Sequence, residues 1–217
     1  MKTLTKEMQE AITPSTALDI LKKGNDRFIN NLKANRNLLE QVNQTSESQH
    51  PFAFILSCID SRTSAELIFD QGLGDIFSCR VAGNIINDDI LGSMEFACKI
   101  AGAKIVVVLG HTRCGAVRGA CDHVRLGNLT GLLNKIEMAV DAETTTTNER
   151  NSKNAEFVEK VAKLNVELAM QQITERSLVV IDMLKNDEIA IIGGMYEVET
   201  GRVDFYEIPL NLGIPQA

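Results

Sequence analysis

The feature that most constrains the fold is a series of short apolar segments separated by stretches with helical periodicity. Four segments have the length and composition of buried strands, namely 52–58, 76–82, 104–109 and 188–194. Because parallel strands need a long, usually helical connection, this alternation predicts an α/β fold with a mostly parallel central β-sheet flanked by helices. Residues 202–208 alternate in polarity after a Thr-Gly turn, which predicts an antiparallel edge strand.

The N-terminal part, residues 1–50, is predicted to form a helical arm and a loop. Ser15 is the expected N-cap, and 35–50 is polar without an apolar period. The apolar residues at helical spacing in the arm are Leu18, Leu21, Phe28 and Leu32. This face must pack either on the chain's own core or on a second subunit. With no second boundary evident, we expect a single domain over 1–217, in which 51–217 is the α/β core.

The composition excludes several classes of partner. A net charge of -7 at pH 7 disfavours binding to nucleic acid or to an anionic membrane surface. The chain has no tryptophan and 2 tyrosines, so it lacks an aromatic platform for stacking bases. No apolar run approaches the roughly 18 residues of a membrane-spanning helix, and the first residues contain no apolar signal core. We therefore expect a cytoplasmic protein with no nucleic-acid partner and no membrane partner.

The 5 cysteines are an odd number without the spacing of a small secreted domain. In a reducing compartment they are expected to be metal ligands or buried thiols rather than disulfides. Cys79, Cys98 and Cys121 lie within apolar segments and are predicted to be small buried side chains. Cys58 and Cys114 instead lie in polar motifs that follow predicted strands.

These two motifs bring together the residue types of a zinc site. Cys58 ends the strand 52–58, and His111 and Cys114 follow the strand 104–109. The carboxyl ends of parallel strands meet at one edge of a sheet, where α/β proteins place their ligand sites. Zn²⁺ prefers thiolate and imidazole ligands, and a fourth position left to water would make the site catalytic. The alternative is a pair of buried thiols beside a core histidine.

Asp60 and Arg62 lie between the first cysteine and a predicted helix. They are close enough in sequence to form an ion pair that only stabilises the turn. Beside a metal ligand, however, a carboxylate held by an arginine could orient a metal-bound water or bind the metal itself. The residues that follow, 63–66 (Thr-Ser-Ala-Glu), match a capping box and predict a short helix near 64–70.

Three motifs together resemble the signature of the β-class carbonic anhydrases. They are 58–62 (Cys-Ile-Asp-Ser-Arg), 80–84 (Arg-Val-Ala-Gly-Asn) and 110–115 (Gly-His-Thr-Arg-Cys-Gly). The resemblance implies one Zn²⁺ per subunit, with Cys58, His111 and Cys114 as its ligands and Asp60 with Arg62 as a catalytic dyad. It also implies a parallel sheet with an added antiparallel edge strand, N-terminal helices that embrace a partner, and active sites at a dimer interface.

The same resemblance implies four substrate-binding positions. Gln49 matches a glutamine that binds substrate, and Phe77 matches an apolar pocket residue. Phe96 stands where the plant-type enzymes carry a tyrosine, and the Gly115 N–H is expected to steady the developing bicarbonate. Together, Phe77, Val81 and Phe96 are expected to form the apolar wall beside CO₂.

The family has an open form and a regulated form, in which the aspartate moves onto the metal. The regulated form has a tryptophan three residues before the first cysteine, where this chain has Ile55. Arg80 and Tyr196 resemble the other members of that form's bicarbonate site, but the set is incomplete. The sequence therefore favours the open, plant-type-like form.

The implied activity is reversible hydration of CO₂ to bicarbonate and a proton, by attack of zinc-bound hydroxide on CO₂. A homodimer or a dimer-of-dimers tetramer is the expected assembly. One alternative is hydrolysis of a CO₂-like substrate, CS₂ or COS, on the same scaffold. Another is a catalytically silent, zinc-stabilised oligomeric module, although such a module would have no use for Asp60, Arg62 and Gln49.

Overall fold

The structure, a computed structural model that describes residues 3–206, is built around one five-stranded sheet. The strands are β1 (Ala53–Ser57), β2 (Ile76–Arg80), β3 (Ile105–His111), β4 (Ala190–Tyr196) and β5 (Val203–Tyr206). Their spatial order is β2-β1-β3-β4-β5, and only β5 runs antiparallel to its neighbour among the described strands. The predicted mostly parallel sheet with an antiparallel edge strand is confirmed. Positions 207 and 208 of the predicted last strand lie outside the described residues.

Helices flank this sheet. Those in the described part are α1 (Lys6–Glu10), α2 (Pro14–Ile29), α3 (Leu38–Gln44), α4 (Ala65–Ile68), α5 (Asp88–Glu95), α6 (Gly115–Cys121), α7 (Gly127–Ala142), α8 (Ala155–Arg176) and α9 (Leu178–Lys185). A 3₁₀ turn, Ala82–Asn84, follows β2, and α5 continues as a π-helical segment, Phe96–Ile100. None of the described helices is long and apolar enough to cross a membrane.

Both faces of the sheet are covered, which is why its central strands are apolar throughout. Every residue of β1 and β3 is buried. On one face, Leu56 of β1 belongs to the same cluster as Met170 of α8. On the other face, Ile55 belongs to a cluster with Leu21 of α2 and Ile68 of α4. The alternating side chains of a single strand therefore reach two separate cores.

Helix α2 packs on the sheet of its own chain. Leu18 and Leu21 are buried in the cluster that contains β1 residues, and Phe28 packs partly buried against it, whereas Leu32 is 67% exposed. The expected N-cap, Ser15, was wrong: Thr13 is the N-cap, and its side chain accepts a hydrogen bond from the Thr16 N–H. Pro14 then occupies the first turn, where the absence of an N–H costs nothing.

Helix α3 lies in the segment 35–50, which the sequence predicted to be a loop, and there the prediction was wrong. Asn37 caps it by accepting a hydrogen bond from the Glu40 N–H. The buried residue of this helix is Gln41, whose Oε1 accepts a hydrogen bond of 3.2 Å from the Leu73 N–H. A polar residue thus docks α3 beside the start of β2.

Candidate active site

The ends of β1 and β3 bring the two cysteines and the histidine of the predicted zinc site together. Cys58 directly follows β1, His111 is the last residue of β3, and Cys114 is the N-cap residue of α6. One ligand atom from each of the three lies within 4.8 Å of the others, and all three residues are buried. The Sγ atoms of Cys58 and Cys114 are 4.0 Å apart.

The hydrogen bonds around Cys58 favour its thiolate. The Cys114 thiol donates to the Cys58 sulfur, which lowers the pKa of Cys58 to about 4 against the opposing effect of burial. The Gly83 N–H, which donates to the Cys58 Sγ at 3.3 Å, lowers that pKa further. The pKa of Cys114 is raised, first because it donates to Cys58 and second because it is buried. Because thiolates are the metal-binding form of cysteine, Cys58 is prepared for a cation, whereas Cys114 must lose its proton when a metal binds.

The residues present fit a zinc ion. The Nδ1 of His111 lies 2.9 Å from the Thr112 carbonyl oxygen, to which it donates when it carries the proton. This tautomer leaves the lone pair of Nε2 free, and Nε2 is buried without a hydrogen-bond partner among the described residues. A buried imidazole nitrogen that lacks a partner is costly unless a ligand satisfies it. Two sulfurs and one such nitrogen form a donor set that suits Zn²⁺.

Asp60 is held by Arg62 rather than by the cysteine cluster. The Arg62 Nε donates to Asp60 Oδ1 at 2.9 Å, and Nη2 donates to Oδ2 at 2.8 Å. The Arg62 backbone N–H donates to Oδ1 at 3.0 Å. These bonds to Arg62 hold the pKa of Asp60 well below its usual range, although partial burial opposes the shift. The predicted pairing of Asp60 with Arg62 is present in the structure.

Two residues fix the loop that carries Cys58 and Asp60. The Thr63 hydroxyl donates to the Cys58 carbonyl at 3.0 Å and to the Asp60 carbonyl at 2.9 Å. The expected capping box at Thr63 was therefore wrong, and Ser64 is the N-cap residue of α4. Arg80 donates from Nε to the Cys58 carbonyl at 3.0 Å and from Nη2 to the Asp60 carbonyl at 2.6 Å.

An apolar cleft opens beside the cysteine cluster. A cavity of about 460 Å³ is lined by Cys58, Asp60 and Gly115. Its remaining lining residues are Ile59, Ala82, Ala116, Gly119, Val124, Leu129 and Leu133. This wall was not predicted, because α6 and α7 supply most of it and the spacing of their residues does not reveal which face lines a cleft.

The other three predicted substrate-binding residues lie away from this cleft in the same chain. Phe77 and Phe96 pack edge to face, with ring centroids 6.2 Å apart, and line a separate cavity of about 630 Å³ beside β2. Gln49 is exposed and lies beside Gly74, in the turn that leads into β2. Because β1 and β2 are parallel, this turn is at the opposite end of the sheet from Cys58.

The remaining cysteines have the environment of buried thiols rather than ligands. Burial raises the pKa of Cys98 to about 12 and that of Cys121 to about 11. Both are buried as predicted, whereas Cys79 is only half-buried. Burial also raises the pKa of Cys79. Within the described residues, the cluster of Cys58, His111 and Cys114 is the one group that could hold a metal ion.

The mostly parallel sheet carries a cysteine–histidine–cysteine cluster at its strand ends, beside a paired aspartate and arginine. This combination is typical of a class of metal-dependent enzymes. The family model for carbonic anhydrase matches residues 53–203. Carbonic anhydrase 2 of Mycobacterium tuberculosis (strain ATCC 25618 / H37Rv) is 32% identical over 203 residues, which cover 92% of this chain and 96% of the relative. The carbonic anhydrase of Mycolicibacterium smegmatis is 32% identical over 193 residues, covering 88% of this chain and 92% of the relative.

Solved structures show the same fold. The β-carbonic anhydrase CafA of Aspergillus fumigatus superposes with a TM-score of 0.68 at 26% identity, covering 89% of this chain and 90% of that one. A tetrameric β-carbonic anhydrase of Sordaria macrospora superposes with a TM-score of 0.66 at 22% identity, covering 78% of this chain and 90% of that one. The chain belongs to the carbonic anhydrase family and is an enzyme of its β class.

Proposed function

We propose that this enzyme hydrates CO₂ reversibly at a zinc ion held by Cys58, His111 and Cys114. The observation that carries the proposal is the placement of this buried cluster beside both a bidentate Asp60–Arg62 pair and an apolar cleft. When bound, Zn²⁺ supplies a hydroxide nucleophile near neutral pH by lowering the pKa of a coordinated water.

Asp60 orients the nucleophile in this proposal. Its Oδ1 accepts two N–H groups from Arg62, whereas Oδ2 accepts one. Each carboxylate oxygen has two lone pairs, so Oδ2 retains one for the proton of the attacking hydroxyl group. Arg62 keeps Asp60 ionised and in one orientation. Its hydrogen bonds to Asp60 support the open form of the site, because in the regulated form the aspartate moves onto the metal.

The apolar cleft receives CO₂, which carries no charge for a polar group to hold. Gly115 lines this cleft at the start of α6, where the first N–H groups of the helix lack intrahelical partners. Its N–H is therefore suited to stabilise negative charge on the forming bicarbonate. Gln49, Phe77 and Phe96 are proposed to act across an interface, because within one chain they lie beside β2 and away from this cleft.

We further propose that the enzyme is cytoplasmic and works as a homodimer or a dimer-of-dimers tetramer. The tetrameric state of the Sordaria macrospora neighbour is consistent with such an assembly. The location of Gln49, Phe77 and Phe96 beside the edge strand β2 also supports an interface on that side.

The test is the variant Asp60→Asn, compared with wild type in a stopped-flow CO₂ hydration assay after the zinc content of both has been measured. The side-chain amide of asparagine accepts hydrogen bonds at its oxygen but not at its nitrogen, so it cannot bind Arg62 and the hydroxyl proton as the carboxylate does. We therefore expect kcat/KM to fall by about 100-fold or more while zinc content is unchanged. The matched control is Asp182→Asn, at an exposed aspartate of α9 that lines neither cavity. Full activity in Asp60→Asn, or an inactive wild-type enzyme loaded with zinc, would contradict the proposal.

A further inference from the structure

Helix α8 carries a buried asparagine on a face that is otherwise almost entirely apolar. Asn165 is 5% exposed, and Val161, Ala162 and Val166 are buried beside it. An amide buried among apolar side chains is costly unless it makes hydrogen bonds. The bond that it makes is from Nδ2 to the carbonyl oxygen of Gly83, at 2.8 Å. A long helix thus contacts, through one polar side chain, the turn that follows β2.

That turn has an unusual backbone. Gly83 has φ 67° and Asn84 has φ 43°, so two successive residues adopt the left-handed region. Such a conformation is unfavourable for a residue with a side chain, and surrounding contacts must maintain it. The Asn165 bond is one such contact, and it comes from outside the turn.

The same glycine contacts a proposed metal ligand. The Gly83 N–H donates to the Sγ of Cys58 at 3.3 Å. A side chain at position 83 would force Ile136 to move, because its Cβ would lie 2.4 Å from Ile136 Cδ1. An N–H that donates to a metal-binding thiolate withdraws negative charge from the sulfur, and such partners orient and tune metal ligands.

We propose that Asn165 is a positioning residue for the metal site. By holding the Gly83 carbonyl, it keeps the Gly83 N–H directed at Cys58, and this N–H reduces the charge that the sulfur donates to the ion. The inference rests on the proposed zinc site at Cys58, His111 and Cys114, but it does not depend on the reaction catalysed there.

The first experiment uses the wild-type chain and needs no substitution. The protein is loaded with ¹¹³Cd²⁺, and scalar coupling between the cadmium nucleus and backbone amide protons is measured by NMR. A coupling between ¹¹³Cd and the Gly83 amide proton is expected, transmitted through Cys58 Sγ. Its absence from a cadmium-loaded protein would overturn the inference while leaving the proposed function intact. Failure to bind cadmium at these three residues would overturn both.

The second experiment compares Asn165→Leu, which keeps the side-chain size but removes the donor, with the control Thr174→Val. Thr174 is also a buried polar residue of α8, but its hydroxyl donates to Gln171 of the same helix. In Asn165→Leu we expect the Gly83 coupling to be lost. Zinc should transfer to a chelator about 10-fold faster or more, because Cys58 is no longer held in one ligating orientation. The thiolate-to-metal charge-transfer band of the Co²⁺ form should move to longer wavelength, because the sulfur becomes more electron-rich.

In Thr174→Val the zinc transfer rate, the Co²⁺ band and the coupling should all match wild type. If both variants unfold more easily but neither changes these three readouts, Asn165 has only a structural role and the inference is wrong. If Asn165→Leu does not fold, Asn165→Ala, which also lacks the donor, takes its place, and a Gly83 coupling equal to wild type in that variant would overturn the inference.

Discussion

Gly83 meets two requirements that no other residue type meets together. It adopts a left-handed conformation, and it lies so close to Ile136 that a Cβ would overlap the isoleucine methyl group. Its N–H also contacts Cys58. The sequence contains this glycine in the motif 80–84, but motif and spacing do not show that its amide faces a sulfur on the neighbouring strand.

The first residue-scale prediction concerns Gly83→Ala. The left-handed conformation alone costs about 1–2 kcal/mol for an L-residue, and the contact with Ile136 adds to this. We expect the free energy of unfolding, measured by urea denaturation, to fall by at least that amount.

The matched control for this prediction is Gly131→Ala. Gly131 lies on the exposed side of α7, and a Cβ added there would meet no atom within 4 Å. Replacing a helix-interior glycine by alanine should raise the unfolding free energy by about 0.5–1 kcal/mol. Equal effects of the two substitutions would show that the conformation of Gly83 is unimportant.

Single residues also show why local patterns predicted the meeting of Cys58, His111 and Cys114 well and the helix caps less well. Cys58, His111 and Cys114 meet because each lies at or just beyond a strand end, and strand ends are visible in the sequence. Thr63 matched a capping box, but its hydroxyl instead bonds two carbonyl groups of the preceding loop. Both arrangements satisfy the hydroxyl, and only the folded loop decides between them.

At the scale of elements, the segment between α7 and α8 is organised by one buried carboxylate. Glu143 accepts hydrogen bonds from Thr145 and from the Thr146 N–H, and it pairs with Arg150 at 2.9 Å. Arg150 in turn lies over the ring of Phe157, at 4.7 Å from its centroid. A run of threonines without periodicity is thereby ordered through contacts that the sequence pattern does not reveal.

The element-scale prediction is the pH dependence of the Glu143→Gln variant. The hydrogen bond from Thr145 is the main cause that lowers the pKa of Glu143 to about 2. Desolvation opposes this shift, and the Thr146 N–H adds to it. A carboxylate with a depressed pKa stabilises the fold above its unfolded-state pKa of about 4.3, and this contribution is lost as pH falls through the folded-state value. The stability difference between wild type and Glu143→Gln should therefore be constant near neutral pH and shrink between about pH 4.3 and pH 2.

Urea denaturation at a series of pH values measures this difference. The control is Glu149→Gln, an exposed glutamate of the same segment, which should change the unfolding free energy by no more than about 0.5 kcal/mol at any pH. A difference for Glu143→Gln that does not shrink in acid would contradict the assigned role.

Helix α3 shows the limit of periodicity as a signal. Its buried residue is polar, whereas Leu38 and Leu39 are 56% and 71% exposed. The segment has no apolar face that would indicate packing on a core, so periodicity did not predict a helix there. By contrast, the buried residues of α8 are mostly apolar and follow the helical period along its length.

At the scale of the whole molecule, β2 is an edge strand with no neighbour on its outer side among the described strands. Phe96 contacts Phe77 of β2 and is 54% exposed, and Ile100 at the end of the same helical segment is 73% exposed. Exposed sheet edges and apolar patches favour association. The order of the strands was not predictable from the sequence, because periodicity does not tell which side of β1 the second strand will occupy.

The whole-molecule prediction is that Phe96→Asp weakens self-association. A charge placed in an apolar interface should raise the dimer dissociation constant by at least about 10-fold, or about 1.4 kcal/mol. Sedimentation equilibrium measures this change, and CO₂ hydration should fall with the dimer fraction. Met138→Asp is the control, since Met138 is also exposed, at 53%, but lies on α7. A monomeric wild-type protein, or an unchanged assembly in Phe96→Asp, would contradict the proposed interface.

The central claim is that Cys58, His111 and Cys114 hold a zinc ion, and X-ray absorption at the zinc edge of the purified enzyme tests it most directly. We expect two sulfur neighbours at about 2.3 Å and one imidazole nitrogen at about 2.0–2.1 Å. Replacing Cys58 by serine should remove one sulfur neighbour, whereas replacing Cys98 should leave the spectrum unchanged. An active enzyme without zinc, or a zinc spectrum without two sulfur neighbours, would contradict the account.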